Sequence, residues 1–394
     1  MTGRRWTSVA IAGTLAVAVL GGALAFWIKT GTKGGPSNPA GTVSSKSPMR
    51  DLAAGLRQGD PLSLAALCQR VLAKSEQPRP AVGEAEGEDL LAVVEGLRAG
   101  FLKFAPVGRA SAVAAATHIL DQFAVEPAPS AWLRSLRPIH DLVIAGLADP
   151  SVEVRASALT EVGRHWNWLP GRTMTPAEEG TLAAWKDAFC KPAERCLGDL
   201  EPKSRAAAVV CVGSLPIDAM AAPAAPYVDD PKSGGVRYKA LMTFANRPNL
   251  LSVDAILKRL HDREPGISDL AGLILKGRGL TKEQIFLGRQ IFDPHPEVRA
   301  SVIPLLRDRS DIDPVVWLLQ LSHDADETVR SKAVESLVDR DSPEIDRRLR
   351  EIASTDTSPT IRAIAGKHVA RHGGESTASL PPLPGSPGLT PKAN

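Results

Sequence analysis

Two histidines near the end of the chain have a spacing that could bind a metal ion. His368 and His372 are four residues apart, so on a helix they would lie on one face, as paired metal ligands do. No third ligand lies near them in the sequence, and the other histidines are scattered. We therefore interpret both side chains as solvated at the end of the last helix, with a metal site as the alternative, and predict no metal. His295 and His323, in predicted turns, are also expected to be solvated.

The four cysteines could form disulfides or bind zinc. They are Cys68, Cys190, Cys196 and Cys211. An even number permits disulfides in an exported chain, and Cys196 and Cys211 flank a turn between two predicted helices. Burial as small apolar residues is the default expectation. No two cysteines have the gap of about two to four residues that is typical of zinc sites, so we do not expect zinc.

Motifs of known enzyme classes are absent from the sequence. HExxH, GxSxG, GxGxxG, the P-loop and CxxCH do not occur, so we predict no catalytic residue and no cofactor. The net charge is only +3 over 394 residues, and the segments 205–215 and 268–275 are almost uncharged. Non-specific nucleic-acid binding requires a strongly basic surface, and we expect none here.

Five arginines recur at steps of 31 residues and suggest a binding edge. They are Arg247, Arg278, Arg309, Arg340 and Arg371, each at the C-terminal end of a predicted helix. The structural interpretation, which we favour, is that cations at these positions satisfy the last helical carbonyls. The functional interpretation is a basic edge that binds acidic partner segments or anionic lipid headgroups.

A second series of arginines shows that the chain is built from repeats. From Arg205 onward the interval is 31 or 32 residues, with Ser268 in one place, and two earlier intervals are 46 and 50 residues. Such a period is typical of a solenoid. The series is Arg109, Arg155, Arg205, Arg237, Ser268, Arg299, Arg330 and Arg362, and we call these the reference positions. An aspartate stands six residues before most of them: Asp149, Asp199, Asp262, Asp293, Asp324 and Asp356. We expect each turn aspartate to reach the reference arginine of its own or an adjacent unit.

Apolar residues recur one residue before and three and seven residues after the reference position. These offsets fall on one face of a helix. A single helix pair cannot bury that face, so the neighbouring unit must cover it. Further helices are predicted before the reference helices, at residues 282–291, 313–321 and 343–353, and a divergent first pair at 49–56 and 61–73. The unit is therefore a helix-turn-helix of about 31 residues.

The pattern Asp-Pro-x-x-x-Val-Arg-x-x-Ala with this period resembles HEAT repeats, most closely the short type first described in phycobilisome lyases. The resemblance covers residues 100–372 and extends with less regularity to residue 48. It implies an all-α, right-handed alpha-alpha superhelix. Repeats of this family serve mainly as protein-binding scaffolds, and a minority act in cofactor attachment or nucleic-acid repair. The chain departs from the pattern at Ser268 and at the two long intervals.

The N-terminal segment predicts a membrane anchor. Residues 8–28 contain no charge over 21 positions and follow Arg4 and Arg5, which is long enough to cross a bilayer. A cleaved signal peptide with a site at Ala23 to Ala25 is the alternative. We favour the anchor because Phe26 to Ile28 continue the apolar run. The repeats would then be extracytoplasmic, or secreted or periplasmic if the signal is cleaved. The usage of Ala, Gly, Pro and Arg, which GC-rich codons favour, suits a bacterium.

The predicted organisation has four parts. They are a transmembrane anchor or signal at 1–30, a flexible linker at 31–47, a HEAT-like solenoid at 48–372 and a disordered Pro/Gly/Ser-rich tail at 373–394. The tail segment PPLPGSPGLTP could be a polyproline ligand, although a plain disordered end is the favoured interpretation.

The predicted function is a membrane-tethered, non-catalytic scaffold. It would hold partner proteins on a concave surface lined by the second helices of the repeats. Two alternatives remain: an accessory protein or enzyme related to the lyase-type repeats, and a binder of an anionic ligand along the arginine edge.

Overall fold

A computed structural model of the chain describes residues 48–72, 82–124, 130–167, 173–307 and 313–372. All regular secondary structure in these ranges is helical, which confirms the all-α class. No helix in the described ranges combines the length and apolar composition needed to cross a bilayer. The predicted anchor at 8–28, the linker and the tail lie outside the described residues. The chain divides into two compact units, with the boundary in the sequence between Cys196 and Leu197.

The described part of the first unit contains eight α-helices. They are α1 Pro48–Gln58, α2 Pro61–Leu72, α3 Glu84–Gly100, α4 Pro106–Leu120, α5 Ala131–Leu147, α6 Val152–Trp166, α7 Pro176–Asp187 and α8 Cys190–Arg195. Short 3₁₀ helices follow α3 and α4, at Phe101–Lys103 and Asp121–Ala124. The first helices α1, α3 and α5 pack in sequence, and so do the second helices α2, α4 and α6. This is the stacking that the repeat pattern predicts.

The second unit contains eleven α-helices within the described residues. They are α9 Pro202–Gly213, α10 Asp218–Ala221, α11 Gly234–Phe244, α12 Val253–Lys258, α13 Pro265–Gly277, α14 Lys282–Ile291, α15 Pro296–Arg307, α16 Pro314–Leu321, α17 Glu327–Leu337, α18 Pro343–Thr355 and α19 Pro359–His372. The second helices α9, α11 and α13 pack in sequence, and α17 packs between α15 and α19. The helices predicted at 282–291, 313–321 and 343–353 are confirmed to within two residues at each end.

The apolar positions of the repeat form the core of each unit. The position three residues after the reference is fully or almost fully buried in the last five units, at Ala240, Ala271, Val302, Ala333 and Ala365. Phe244, Leu275, Leu306 and Leu337, seven residues after it, are completely buried. Val298 and Val369 are only half-buried. Val369 lies on the last described helix, which has no following unit among the described residues to cover it.

Caps and prolines set the ends of the helices. Thr175 begins α7 with a capping box, in which its side chain and that of Glu178 each accept a backbone N–H. Thr281 and Gln284 form the same arrangement at the start of α14. One first helix is replaced by a 3₁₀ helix, Ala222–Asp229, which contains Pro223 and Pro226. Each proline lacks an N–H donor, so an α-helix is disfavoured there.

Two glycines allow a close contact in the first unit. A Cβ atom on Gly100 of α3 would lie 1.9 Å from the carbonyl oxygen of Leu56, and one on Gly96 would lie 2.6 Å from that of Ala53. Both oxygens belong to the backbone of α1. The two helices therefore approach more closely than any residue with a side chain would permit.

Candidate functional site

In the described part of the chain, at least five reference arginines bind the turn aspartate of the next unit. Each guanidinium donates two hydrogen bonds to one carboxylate, a geometry that is both strong and directional. The pairs, with their two N–O distances, are Arg109–Asp149 (2.6 and 2.9 Å), Arg205–Asp230 (3.1 and 3.4 Å), Arg237–Asp262 (2.7 and 2.7 Å), Arg299–Asp324 (2.6 and 2.7 Å) and Arg330–Asp356 (3.0 and 3.2 Å). We call these five pairs the arginine ladder.

Each ladder arginine also binds the backbone before its own helix. In the turn before α15, the third nitrogen of Arg299 donates to the carbonyl oxygens of Asp293 (2.7 Å) and Pro294 (3.1 Å). Arg155 and Arg362 make the same carbonyl contacts, with Asp149 and Asp356 respectively. Each ladder arginine therefore connects the turn of its own unit to the turn of the following unit.

The ladder stabilises the ionised aspartates. Burial raises the pKa of Asp324, but hydrogen bonds from Arg299 and from the backbone of Asp326 outweigh it and hold that pKa below its usual value. The same balance lowers the pKa of Asp149, Asp262 and Asp356. In each case the folded state favours the ionised carboxylate.

The ladder is interrupted where serine replaces the reference arginine. The hydroxyl of Ser268 donates to the carbonyl of Leu260 at 2.8 Å. Arg289 of α14 reaches the same place and donates to the Leu260 carbonyl at 3.1 Å and to Ser268 Oγ at 3.0 Å. The following turn aspartate, Asp293, pairs with the backbone N–H (2.8 Å) and Nδ1 (3.0 Å) of His295 instead. The Asp293 side chain is 21% exposed, compared with 8% for Asp324.

Two of the five edge arginines are bound within the fold. Arg247 donates to Asp218 and to the carbonyls of Gly213 (2.7 Å) and Leu215 (2.8 Å). Arg278 donates to the carbonyls of Phe244 and Ala245 at 3.2 and 3.0 Å. Both guanidinium groups thus satisfy carbonyls at the end of the preceding second helix, rather than their own.

The other edge arginines differ in their surroundings. Arg340 is half-buried, Arg371 is exposed, and Arg309 lies outside the described residues. Nε of Arg371 donates to the carbonyl of Lys367, one turn earlier in the same helix, at 3.3 Å. The binding edge therefore stays a prediction, and the structure assigns its first two members a contact between neighbouring units.

Exposed apolar side chains lie at one position on successive second helices. Five residues after the reference position stand Met242 of α11, 51% exposed, and Leu273 of α13, 68% exposed. On α15 this position is the exposed Pro304, and Leu305 beside it is 60% exposed. Tyr238, one turn before Met242, is 39% exposed. We call this surface the apolar face and define it by Val210, Tyr238, Met242, Leu273, Pro304 and Leu305.

The last two second helices carry charge at the same position. Glu335 of α17 and Lys367 of α19 are exposed, each five residues after its reference arginine, and Lys332 is exposed on the same part of α17. We call Lys332, Glu335 and Lys367 the charged face. Single exposed apolar residues are ordinary, but several at one register on successive helices mark a surface that favours a partner.

Polar side chains from α4 and α6 meet in the first unit. Arg164 donates to Glu161 and to Asp121, in both cases at 3.0 Å. Burial raises the pKa of Asp121, but hydrogen bonds from His165 and Arg164 outweigh it and hold that pKa at about 2. His118 and His165 face the same two carboxylates. The sequence shows these histidines as scattered, and the described residues contain no group of side chains that could hold a metal ion.

One histidine of the predicted pair is buried, so its predicted solvation is wrong. His368 is 1% exposed. Its Nε2 lies 2.9 Å from a carboxylate oxygen of Asp346 and its Nδ1 lies 3.2 Å from the carbonyl oxygen of Val338. The side chain is buried because α19 packs against both α17 and α18. The side chain of His372 lies outside the described part of the chain.

None of the four cysteines, all of which lie in the described residues, forms a disulfide. Cys68, Cys196 and Cys211 are buried, as the default interpretation predicts, and Cys190 is half-buried. Burial raises the pKa of Cys68 to about 11. A thiol with so high a pKa is a packing residue rather than a nucleophile.

The comparisons with known proteins place HEAT repeats in the second unit. The family profile for HEAT repeats matches residues 287–369, about a fifth of the chain. A chain from the solved structure of the Pds5–Scc1 complex, described for its implications for cohesin function, is similar at 14% identity with a TM-score of 0.26. That similarity covers 86% of this chain and 64% of the other. No curated protein matches the sequence.

The described residues form a helical-repeat fold, and residues 287–369 within it match HEAT repeats. The matched stretch includes two ladder pairs, Arg299–Asp324 and Arg330–Asp356. Repeats of this kind typically mediate protein interactions. The narrower resemblance to the phycobilisome-lyase type stays a prediction.

Proposed function

We propose that the protein is a non-catalytic scaffold that binds a partner protein through the apolar face. The supporting observation is that Met242 and Leu273 are exposed at one register on successive second helices, and that Leu305 is exposed beside Pro304, the equivalent position on the next second helix. The HEAT repeats at residues 287–369 support the same class of function. In a HEAT-like solenoid the second helices are expected to line the concave surface, where partners bind.

The energetics favour a partner that carries apolar side chains. Fully burying a Leu or Met side chain contributes about 1.5–3 kcal/mol. A few such residues at the centre of an interface commonly supply most of the binding energy. The arginine ladder links the turns that precede neighbouring second helices. These helices are therefore held in place before binding, and little conformational entropy has to be lost when the partner binds.

A membrane tether is a further part of this proposal. The uncharged segment 8–28 supports it, because its length and composition suit a transmembrane helix. A cysteine engineered at Leu200, which is 82% exposed, would be labelled by an impermeant thiol reagent on intact cells if the repeats are extracytoplasmic. Wild type is the control for the native cysteines. Labelling only after the cells are lysed would contradict this orientation.

Affinity capture with matched variants tests the binding function. The face variant Met242→Gln/Leu273→Gln/Leu305→Gln removes three exposed apolar side chains from the apolar face. The control variant Leu62→Gln/Leu102→Gln/Leu200→Gln removes three others, which are 70%, 82% and 82% exposed and lie elsewhere. Each protein is captured from detergent-solubilised native membranes, and bound proteins are quantified by mass spectrometry.

The two variants should behave differently. A partner bound at the apolar face should be recovered at least about tenfold less with the face variant, which corresponds to a loss of about 1.4 kcal/mol. The control variant should recover it like wild type. Equal recovery with both variants would contradict the proposal, and so would an equal loss.

A further inference from the structure

At one step of the second unit, neighbouring second helices are not packed against each other. Helix α9 packs against α11, α11 against α13, α15 against α17 and α17 against α19. Among the described helices of this unit, α13 and α15 are the consecutive second helices that do not form such a packed pair. We call the step from α13 to α15 the open step.

The first helices show the opposite pattern at the open step. Helix α12 packs against α14, and a Cβ atom on Gly288 of α14 would lie only 2.4 Å from Cδ2 of Leu257 on α12. Leu257 is completely buried, so its side chain has little room to move aside, and glycine permits the close approach. One step later the pattern is reversed, because α15 packs against α17 whereas the described helices α14 and α16 are not a packed pair. The units on the two sides of the open step are therefore joined through their first helices.

Hydrogen bonds across the open step also lie on the side of the first helices. Arg289 of α14 donates to the carbonyl of Leu260 at 3.1 Å and to Oγ of Ser268 at 3.0 Å. Nε2 of His261 lies 2.5 Å from the carbonyl oxygen of Arg289. Ser268 stands where a ladder arginine would reach the next unit, and Asp293 accepts its hydrogen bonds from within its own turn. In the described residues the open step therefore lacks both links, packing and ladder pair, that join second helices at the step from α15 to α17.

We propose that the open step is a hinge, at which the second unit bends by widening or narrowing the space between α13 and α15. Motion concentrates where the fewest contacts resist it, and hinge motions in proteins turn about a few residues that remain in contact. The contact of Gly288 with Leu257 and the hydrogen bonds of Arg289 form the pivot. The packed pairs on either side, α11 with α13 and α15 with α17, move as rigid parts.

The hinge divides the apolar face. Met242 and Leu273 lie on helices before the open step, and Leu305 lies on α15, after it. Bending changes the distance from Leu273 to Leu305 and leaves the distance from Met242 to Leu273 as it is, because α11 and α13 are packed. A partner that contacts both parts of the face would bind one bend angle more tightly and shift the population towards it. This consequence rests on the proposed function, whereas the hinge itself does not.

Distances between pairs of spin labels in the full-length protein test the hinge. Double electron–electron resonance gives the distribution of distances between two labelled cysteines. The hinge pair Met242→Cys/Leu305→Cys crosses the open step, and the control pair Leu305→Cys/Lys367→Cys does not. Each pair joins exposed positions on second helices two repeat units apart, and the two pairs share one label. The half-buried Cys190 is changed to serine in both proteins, and the same background without added cysteines measures any labelling of the buried thiols.

The expected distance distribution of the hinge pair is at least about twice as wide as that of the control pair. Adding Ser268→Arg, which supplies a ladder arginine for Asp293, should narrow the hinge pair to the width of the control pair. The same addition together with Asp293→Asn should leave it wide.

Two results would overturn the proposal. Equal widths for the two pairs without Ser268→Arg would show that the open step does not bend. A wide distribution that Ser268→Arg leaves unchanged would show that the missing ladder pair does not permit the bend. The measurement needs no partner, so the hinge can fail while the face variant still loses its partner, and the hinge can hold when no protein binds the apolar face.

Discussion

Two stretches of the second unit use the same repeat differently. Around α17 and α19 the ladder runs without interruption. The exposed position five residues after the reference, which we call the outward position, carries Glu335 on α17 and Lys367 on α19. From α9 to α15 the outward position is apolar, and within this stretch the ladder stops at Ser268. The HEAT profile matches residues 287–369, which is mostly the regular stretch.

The difference shows which positions the fold constrains. Stacking fixes the buried positions in both stretches, since Leu275 and Leu337 are equally inaccessible. It places no demand on the outward position, where a charged residue would improve solubility. Met242 and Leu273 at this position are 51% and 68% exposed, and their recurrence at one register is why we propose that the apolar face binds a partner.

The largest expected effect is a difference in the free energy of unfolding between a core substitution and an apolar-face substitution on the same helix, α15. Leu306 is completely buried and Leu305 is 60% exposed. Leu306→Ala should lower the free energy of unfolding by about 2–5 kcal/mol, because it leaves a cavity between stacked units. Leu305→Ala should change it by less than about 0.5 kcal/mol. Urea unfolding monitored by circular dichroism measures both, and similar losses would show that the register of α15 is wrong.

The next largest effect compares the intact pair Arg299–Asp324 with Asp293, which lies where Ser268 interrupts the ladder. Asp324→Asn removes the charge that pairs with Arg299 and should cost about 2–3 kcal/mol, somewhat less than a fully buried pair because Arg299 is partly exposed. Asp293→Asn should cost less than about 1 kcal/mol, because its partner His295 lies at the surface. The same unfolding experiment compares them, and an equal cost would contradict the role given to the ladder.

Acidification should reduce the difference in stability between wild type and Asp324→Asn. The pKa of Asp324 is lowered in the folded state, so its stabilisation is complete above the unfolded value, near pH 4, and is lost as the pH falls through the folded value. Wild type and Asp324→Asn should therefore converge in unfolding midpoint below about pH 4. A difference that stays constant from pH 7 to pH 3 would show that the variant acts through packing alone.

The smallest effect is expected from completing the ladder. Ser268→Arg would place a guanidinium opposite Asp293 and should raise the free energy of unfolding by about 0.5–1 kcal/mol. The gain should disappear in the Asp293→Asn background, which is the matched control. A loss of stability in Ser268→Arg would contradict this expectation and would indicate that the displaced contacts of Arg289 with Leu260 and Ser268 contribute more than the new pair.

Much of the fold could be predicted because the repeat pattern is local and periodic. The helix at 282–291 and the buried columns follow from offsets along single helices. The pairing of Asp230 with Arg205 was missed, because this aspartate stands seven residues before Arg237, one more than in the other units. The position of Arg289 over Ser268 leaves no signal in the sequence, since it depends on two helices packed in space.

The candidate site could be predicted only in part. The apolar face appears in the sequence as the column Val210, Met242, Leu273 and Pro304, followed by Glu335 and Lys367. Its exposure could not be seen there, because apolar residues on a repeat helix normally indicate the core. The burial of His368 was equally hidden, since its partner Asp346 lies on another helix 22 residues earlier.

Site-specific photocrosslinking tests the central claim most directly. A photoreactive amino acid is placed at Leu273 or at Glu335, which are equivalent exposed positions on α13 and α17, and native membranes are irradiated. We predict a covalent adduct with one partner protein from position 273 and none from position 335. The same adducts from both positions, or adducts only from position 335, would contradict binding at the apolar face.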